Sequence, residues 1–330
     1  MKNNVEQLIK PILLFGMPRS GTSWLGKIFD SHPDVFYRHE PDSWQRVNWM
    51  PLVLSKDASE KFEDQIEQYA IDTLSFSAPK VASKLPIFKK SYYSGFRYYL
   101  IHLGIYLSKF GERIGIKLPV VGQPDGRSLR KIRRVWKSIE ALGRLSVIQS
   151  ALYDAKAVHI VRHPCGYIAS VLRGEARKNF DDKRPSSEDY GILEVLLESG
   201  PAQQRGLTLD DMRACTPVQR LAWRWVLYNE NAYAELNETS DYKVLFYDDF
   251  CKDPMSGAKE FFNFVELGWS AQTEAFLKRS TSNENSAYYS VYKDPLIAAN
   301  KWKESLSKED IEQVMSVVKS SDFATQVLGL

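Results

Sequence analysis

The chain has 330 residues, 44% hydrophobic and 26% charged, the balance of an ordinary globular protein with room for a sizeable core. A net charge of +3 is too small to point to nucleic acid, and no C-x-x-C or H-E-x-x-H pattern joins the three cysteines or five histidines into a disulfide framework or a metal site. No apolar run approaches the ~20 residues that span a bilayer, and Met1-Lys2-Asn3-Asn4-Val5-Glu6 lacks a signal core, so a reducing, cytoplasmic location is expected.

The first predicted element is a strand over 11–15, apolar throughout, as in a parallel sheet buried on both faces. Gly16-Met17-Pro18-Arg19-Ser20-Gly21 follows, and a helix is predicted over 21–30. Strand, glycine-bounded loop and helix N-terminus together hold an anion on backbone N–H groups. Gly16 and Gly21 keep the spacing of G-x-x-x-x-G-K-[ST], but Thr22 stands where a triphosphate-binding loop has lysine. The cation is instead Arg19, inside the loop, while Ser20, Thr22 and Ser23 add hydroxyls and N–H groups aimed at the same anion.

Tyr37-Arg38-His39-Glu40-Pro41 comes just after the next predicted strand. Pro41 biases Glu40 to an extended backbone. A carboxylate there can act as general base for an acceptor hydroxyl, or simply pair with Arg38 or Arg19. His39 is a rival base, but neighbours on a strand face opposite ways. An amphipathic helix is predicted over 57–74, and a short apolar stretch over 98–107 reads as a buried or interfacial helix. A strand over 114–118 ends near Lys117, placed to neutralise a leaving phosphate.

From Lys80 through Arg144 there are 15 Lys+Arg against three acids, densest over 130–137. This excess suits a surface for an anionic acceptor or an acidic membrane, or else a solvated helix face. A helix is predicted over 139–153, then a strand over 157–161 ending at Arg162. Pro164 opens the following helix, which carries Ser170, so Arg162 and Ser170 can converge on one phosphate. Residues 181–211 are acidic, poor in strand signal, and read as an insertion near the site, with mobility expected. A long Trp- and Tyr-rich helix over 217–236, a strand over 244–247 and a helix from Asp253-Pro254 complete the pattern. Short apolar strands alternating with helices give an α/β, phosphate-loop-like, three-layer fold with a central parallel sheet, and its ligands bind at the strands' carboxyl ends. No repeat or linker divides it, so residues 1–330 read as one domain with insertions at about 44–113 and 181–211.

In combination these motifs resemble the sulfotransferases that use 3′-phosphoadenosine 5′-phosphosulfate (PAPS), in the branch of carbohydrate and tyrosylprotein sulfotransferases. Pro18-Arg19-Ser20-Gly21-Thr22 matches the loop that binds the 5′-phosphosulfate in that family. Glu40-Pro41 matches the pair carrying the catalytic base, and Arg162 with Ser170 matches the R-x₇-S pair on the 3′-phosphate. Gly115, Lys117 and Pro119 fit a G-x-K-x-P strand end, and Tyr247-Asp248-Asp249-Phe250 is similar to Y-E-D-L, with Asp248 replacing a glutamate. Ser290-Val291-Tyr292-Lys293 before Lys301-Trp302 is similar to the late loop that closes over the nucleotide in relatives, bringing Tyr292 and Lys293 to it.

The resemblance implies in-line transfer of a sulfuryl group to an acceptor hydroxyl, releasing adenosine 3′,5′-bisphosphate (PAP). Glu40 would take the proton, and Arg19 and Lys117 would stabilise the leaving phosphate without a metal. The basic excess suggests an anionic saccharide as acceptor and peripheral membrane contact, with no nucleic acid. Trp44, Trp49, Tyr92, Tyr93 and Phe96 can stack on sugars or line an apolar pocket. Three other readings stay open. An ATP-dependent kinase on a related fold needs a lysine after Gly21, where Thr22 stands. A non-enzymatic membrane- or polyanion-binding module rests only on the basic excess. An inactive relative is opposed by the presence of Arg19, Glu40, Arg162 and Ser170 together.

Overall fold

The computed structural model describes residues 10–82, 84–93, 95–113, 132–177, 184–282 and 294–330. Lys117, Tyr292, Lys293 and the strand predicted over 114–118 lie outside the described residues. Five parallel strands form one sheet: β1 (Pro11–Gly16), β2 (Val35–His39), β3 (Arg133–Ser138), β4 (Lys156–Val161) and β5 (Tyr242–Phe246), in the order β2-β3-β1-β4-β5. β1 explains its own lack of alternation. Leu13 and Phe15 point into one core with Trp136 and Val161, while Ile12 and Leu14 point into the other with Val135 and Ile160. Both faces are dry, so every β1 residue is buried.

Helices cover each face. On the first lie α2 (Ser59–Ser75), α4 (Leu145–Ala151), α5 (Pro164–Ala176), α7 (Pro217–Leu236) and α10 (Lys308–Val318). On the second lie α1 (Thr22–Asp30), α8 (Pro254–Phe264) and α9 (Ala271–Ser282). This is the expected three-layer α/β architecture. The α2 helix buries Phe62, Ile66, Tyr69, Ala70 and Thr73, one stripe at helical spacing, against α4. The α7 helix begins as expected at Pro217, where Thr216 and Gln219 exchange side-chain and backbone bonds in a capping box.

The structure corrects four expectations. The basic run over 130–137 is neither a surface nor a helix face: its described part forms β3, between β1 and β2. Arg134 and Lys137 are buried there, because a strand with a neighbour on each side and a helix layer on each face has no solvent to reach. The helix predicted over 139–153 is shorter, a Leu142–Arg144 turn followed by α4. The last strand ends at Phe246, and Tyr247 opens a helical turn. Of the stretch expected to be mobile, residues 184–211 are largely helical. Leu196 of α6 (Tyr190–Leu197) and Ala202 bury in the core shared with α7.

A buried ionic knot fastens residues 84–90 to the end of α1. Lys27 donates to Asp30 Oδ2 at 2.6 Å and to the Pro86 carbonyl at 3.1 Å, and Lys90 donates to Asp30 Oδ1 at 3.0 Å. Burial opposes ionisation of Asp30, but the two ammonium groups prevail and hold its carboxyl below the usual range. This anchor carries the chain into α3 (Gly95–Arg113), which lies beyond edge strand β2.

His159, in the middle of β4, is wholly buried between Tyr242 Oη at 2.7 Å and Asn229 Oδ1 at 2.9 Å. Asn229 donates its amide to the Trp225 carbonyl, so its oxygen accepts from His159 Nε2–H and the ring is neutral. Burial holds the imidazole down to about 4. The unfolded chain therefore binds a proton that the native state refuses, and stability falls as pH drops from about 6.5 toward 4. In urea unfolding, His159→Gln should lose about 2 kcal/mol less than the parent between about pH 7 and pH 5. Equal losses in the two proteins would exclude His159 from the acid response.

Candidate active site

Because the strands are parallel and in register, their carboxyl ends form one edge. The chain runs from β1 outward to β2, returns to β3, and then crosses to β4 and β5 on the other side of β1. Such a reversal opens a crevice above the central strand, the usual ligand position in an open α/β sheet. The Gly16–Gly21 loop occupies it.

Each glycine of that loop has a reason. A Cβ on Gly16 would lie 2.4 Å from the Ile160 carbonyl of β4. Gly21 has φ +84, and a Cβ there would strike the Tyr247 ring at 2.3 Å. As N-cap of α1, Gly21 offers no side chain to the first-turn N–H groups, so Thr22 and Ser23 begin a helix whose positive end has no side-chain cap. Arg19 is also left-handed, at φ 72, a conformation that costs a non-glycine residue roughly 1–2 kcal/mol.

Two predicted anion ligands meet at that arginine. Arg19 Nε donates to Ser170 Oγ of α5 at 3.1 Å. Arg162, just past β4, donates through Nη1 to the Arg19 carbonyl at 3.0 Å and through Nη2 to the Ala298 carbonyl at 2.6 Å. Its guanidinium lies 5.3 Å over the Tyr247 ring, and its own carbonyl accepts from Trp225 Nε1 at 2.9 Å. Arg162 Nε is buried with no hydrogen-bond partner among the described residues. A Cβ on Gly166 would approach that nitrogen to 2.9 Å, so glycine keeps the space beside the donor open. An unpaired buried donor, a glycine-lined space and an uncapped helix N-terminus fit an anionic ligand.

The flanking residues hold this arrangement. Asp248 Oδ2 accepts from the His163 N–H at 2.7 Å, and the His163 ring stacks on Trp302 with centroids 4.5 Å apart. Trp302, from the predicted Lys301-Trp302 pair, thus rests beside the Arg162 strand end. Asp248 makes this bond with a carboxylate one carbon shorter than glutamate.

The second half of the edge is built by β2 and β3. Glu40 follows β2 as expected, but its backbone is left-handed (φ 48, ψ 55) rather than extended. Its N–H donates to the Lys137 carbonyl at 2.8 Å, and Pro41 starts a short helix, Pro41–Trp44. The next turn is pinned by Asp42, which accepts from Trp136 Nε1 at 3.2 Å and from Ser138 Oγ. Burial pushes the Asp42 carboxyl up to about 6. These bonds override the bias set by Pro41.

The left-handed turn also brings together side chains that strand alternation would separate. His39 Nε2 lies 3.5 Å from Glu40 Oε1, while His39 Nδ1 pairs with Tyr37 Oη at 2.8 Å. Burial, helped by Lys137, Lys84 and Lys27, holds His39 well below the usual histidine range. Glu40 pairs with neither Arg38 nor Arg19. Its partner is Lys137, whose Nζ donates to Oε1. Lys137 is 0% exposed and Glu40's side chain 21%, so the carboxylate faces the opening and the ammonium supports it from below. Arg38 is spent on the Thr73 and Leu74 carbonyls at the end of α2. Lys137 escaped the sequence reading because it lay in the basic run. Its signal was Val135-Trp136 directly before a lysine and a serine, a strand end rather than a helix face.

A glycine-bounded loop with an uncapped helix N-terminus and a lysine-backed carboxylate, both at the carboxyl edge of a parallel sheet, define an α/β protein of the phosphate-loop kind. The chain belongs to the sulfotransferase family, whose profile matches residues 11–198, more than half its length. It is 22% identical over 350 aligned residues to carbohydrate sulfotransferase 2 of mouse and of human, an alignment covering 92% of this chain and 62% of those proteins. The chain thus spans less than two thirds of the curated relatives it matches. Among solved structures, a mouse sulfotransferase complexed with PAP, SULT7A1, aligns at TM-score 0.46 and 14% identity over 96% of this chain and 86% of its own. The sulfotransferase domain from the curacin biosynthetic pathway aligns at 0.44 and 14% over 94% and 98%.

Gly21→Ala should cost more than about 1 kcal/mol, the φ penalty plus the collision with Tyr247. Paired with Tyr247→Ala, the same substitution should cost measurably less, because only the φ penalty survives. Identical costs in the two backgrounds, read by urea unfolding, would contradict the packing described here.

Proposed function

We propose that this chain moves the sulfuryl group of PAPS to an acceptor hydroxyl by in-line displacement. The observation that carries the proposal is the Glu40 carboxylate, held open between Lys137 and His39 on the edge that also bears the Arg19 loop. When bound, PAPS supplies the activated sulfuryl group. The N–H groups and hydroxyls of Ser20, Gly21, Thr22 and Ser23, with Arg19, hold its 5′ end. Arg162 and Ser170 hold the 3′-phosphate, and Lys117, Tyr292 and Lys293 keep the roles that family resemblance gives them.

Glu40 accepts the hydroxyl proton as the acceptor oxygen bonds to sulfur and the bond from sulfur to the phosphate oxygen breaks. Arg19 stabilises the charge arriving on that phosphate, and Lys137 adds a fixed positive charge beside the base. His39 is the weaker candidate for base, since it is buried, held neutral and engaged by Tyr37. The similarity to carbohydrate sulfotransferases favours a sugar hydroxyl as the acceptor.

With labelled PAPS and a panel of acidic and neutral saccharides, Glu40→Gln should lose at least about 100-fold in turnover yet bind PAP as the parent does. Arg162→Ala should show the opposite pattern, losing about 1.5–3 kcal/mol of PAP affinity. Normal turnover in Glu40→Gln would move the base elsewhere, and unchanged PAP affinity in Arg162→Ala would remove that residue from the nucleotide site.

A further inference from the structure

The outer face of α3 is the largest apolar feature left exposed among the described residues. Phe96, Leu103 and Phe110 recur every seven residues, with Tyr99, Leu100, Tyr106 and Leu107 between them, and each is 53–76% exposed. At 100° per residue they form one stripe roughly 120° wide. The opposite face is already used: Ile101 and Ile105 line a cleft with Phe36, Tyr37 and Arg38 of β2. The helix is thus apolar on two sides, one docked on the protein and one bare. Isolated exposed apolar residues are ordinary, whereas a contiguous stripe of this length marks a contact surface.

Charge selects the partner. Residues 80–113 hold seven Lys+Arg and one acid, Glu112. Lys90 is consumed by Asp30, but Lys80 and Lys89 are exposed on the segments leading into α3. A second copy of this chain would bring the same cations against them. Anionic headgroups would neutralise them while the acyl boundary received the apolar stripe. The stripe is also wider than the two-position seam of a coiled coil, and four of its seven side chains are aromatic, two of them tyrosines suited to the headgroup level. No helix among the described residues is long and apolar enough to cross a membrane. We infer that α3 lies flat in the headgroup boundary of an anionic bilayer, docking the chain peripherally with the β2 side of the sheet toward the lipid.

The inference stands apart from the transfer chemistry and is tested without it. The full chain is sedimented with phosphatidylcholine vesicles and with vesicles also containing phosphatidylserine, and its mass in solution is measured by analytical ultracentrifugation. Binding should require phosphatidylserine and weaken as salt rises. Leu103→Glu with Leu107→Glu, both at exposed positions, should cut binding at least about tenfold while thermal unfolding stays unchanged. Lys80→Glu with Lys89→Glu should weaken binding to the anionic vesicles without altering the fold. Absence of vesicle binding, binding indifferent to the Leu103/Leu107 substitutions, or a dimer that those substitutions disperse without any vesicle binding would each overturn it.

Discussion

The ion pair between Lys137 and Glu40 is the constraint on which the proposed chemistry turns. A wholly buried lysine is costly unless an opposite charge meets it, and here that charge is the partly open carboxylate of Glu40. Everything nearby serves to keep the two together. The β2–β3 register sets His39 opposite Lys137, Glu40 N–H is tied to the Lys137 carbonyl, and Asp42 is tied to Trp136 and Ser138 on the same strand. The left-handed backbone at Glu40 is strain maintained by those bonds, and it sets the direction of the Glu40 carboxylate.

The other half of the edge concentrates positive charge in a similar way. Arg19 occupies a strained loop position, and Arg162 is fixed by carbonyls, including that of Arg19 itself. Two guanidinium groups and an uncapped helix N-terminus form a field that an anion stabilises. The donors are in place before any ligand arrives, so binding requires little reorganisation. That arrangement suits a reaction whose main electrostatic demand is charge building on a leaving phosphate.

Much of this was legible from residue pattern. β1 and its loop show an uninterrupted apolar run closed by two glycines, and the long α7 helix carries both its proline and its capping residues in sequence. What escaped the pattern follows from tertiary context. β3 is hidden because arginine and lysine signal solvent, whereas at Arg134 and Lys137 the sheet buries them. Glu40 departs from its local preference because its N–H donates to Lys137 while Asp42 accepts from Trp136 and Ser138, bonds that outweigh the effect of Pro41. Spacing suggests pairing Arg162 with Ser170, yet the sequence does not reveal that both touch Arg19. The apolar stretch over 98–107 reads as a buried or interfacial helix, and only the exposure of the outer face of α3 separates the two.

The most direct test of the account is thermal unfolding of the parent chain with PAP, with ATP and with buffer alone, each with and without Mg²⁺. A ligand that binds only the native state raises its stability. PAP should give a stabilising shift that is independent of Mg²⁺ and larger than any shift with ATP. A shift with Mg-ATP alone, or none with PAP, would contradict it.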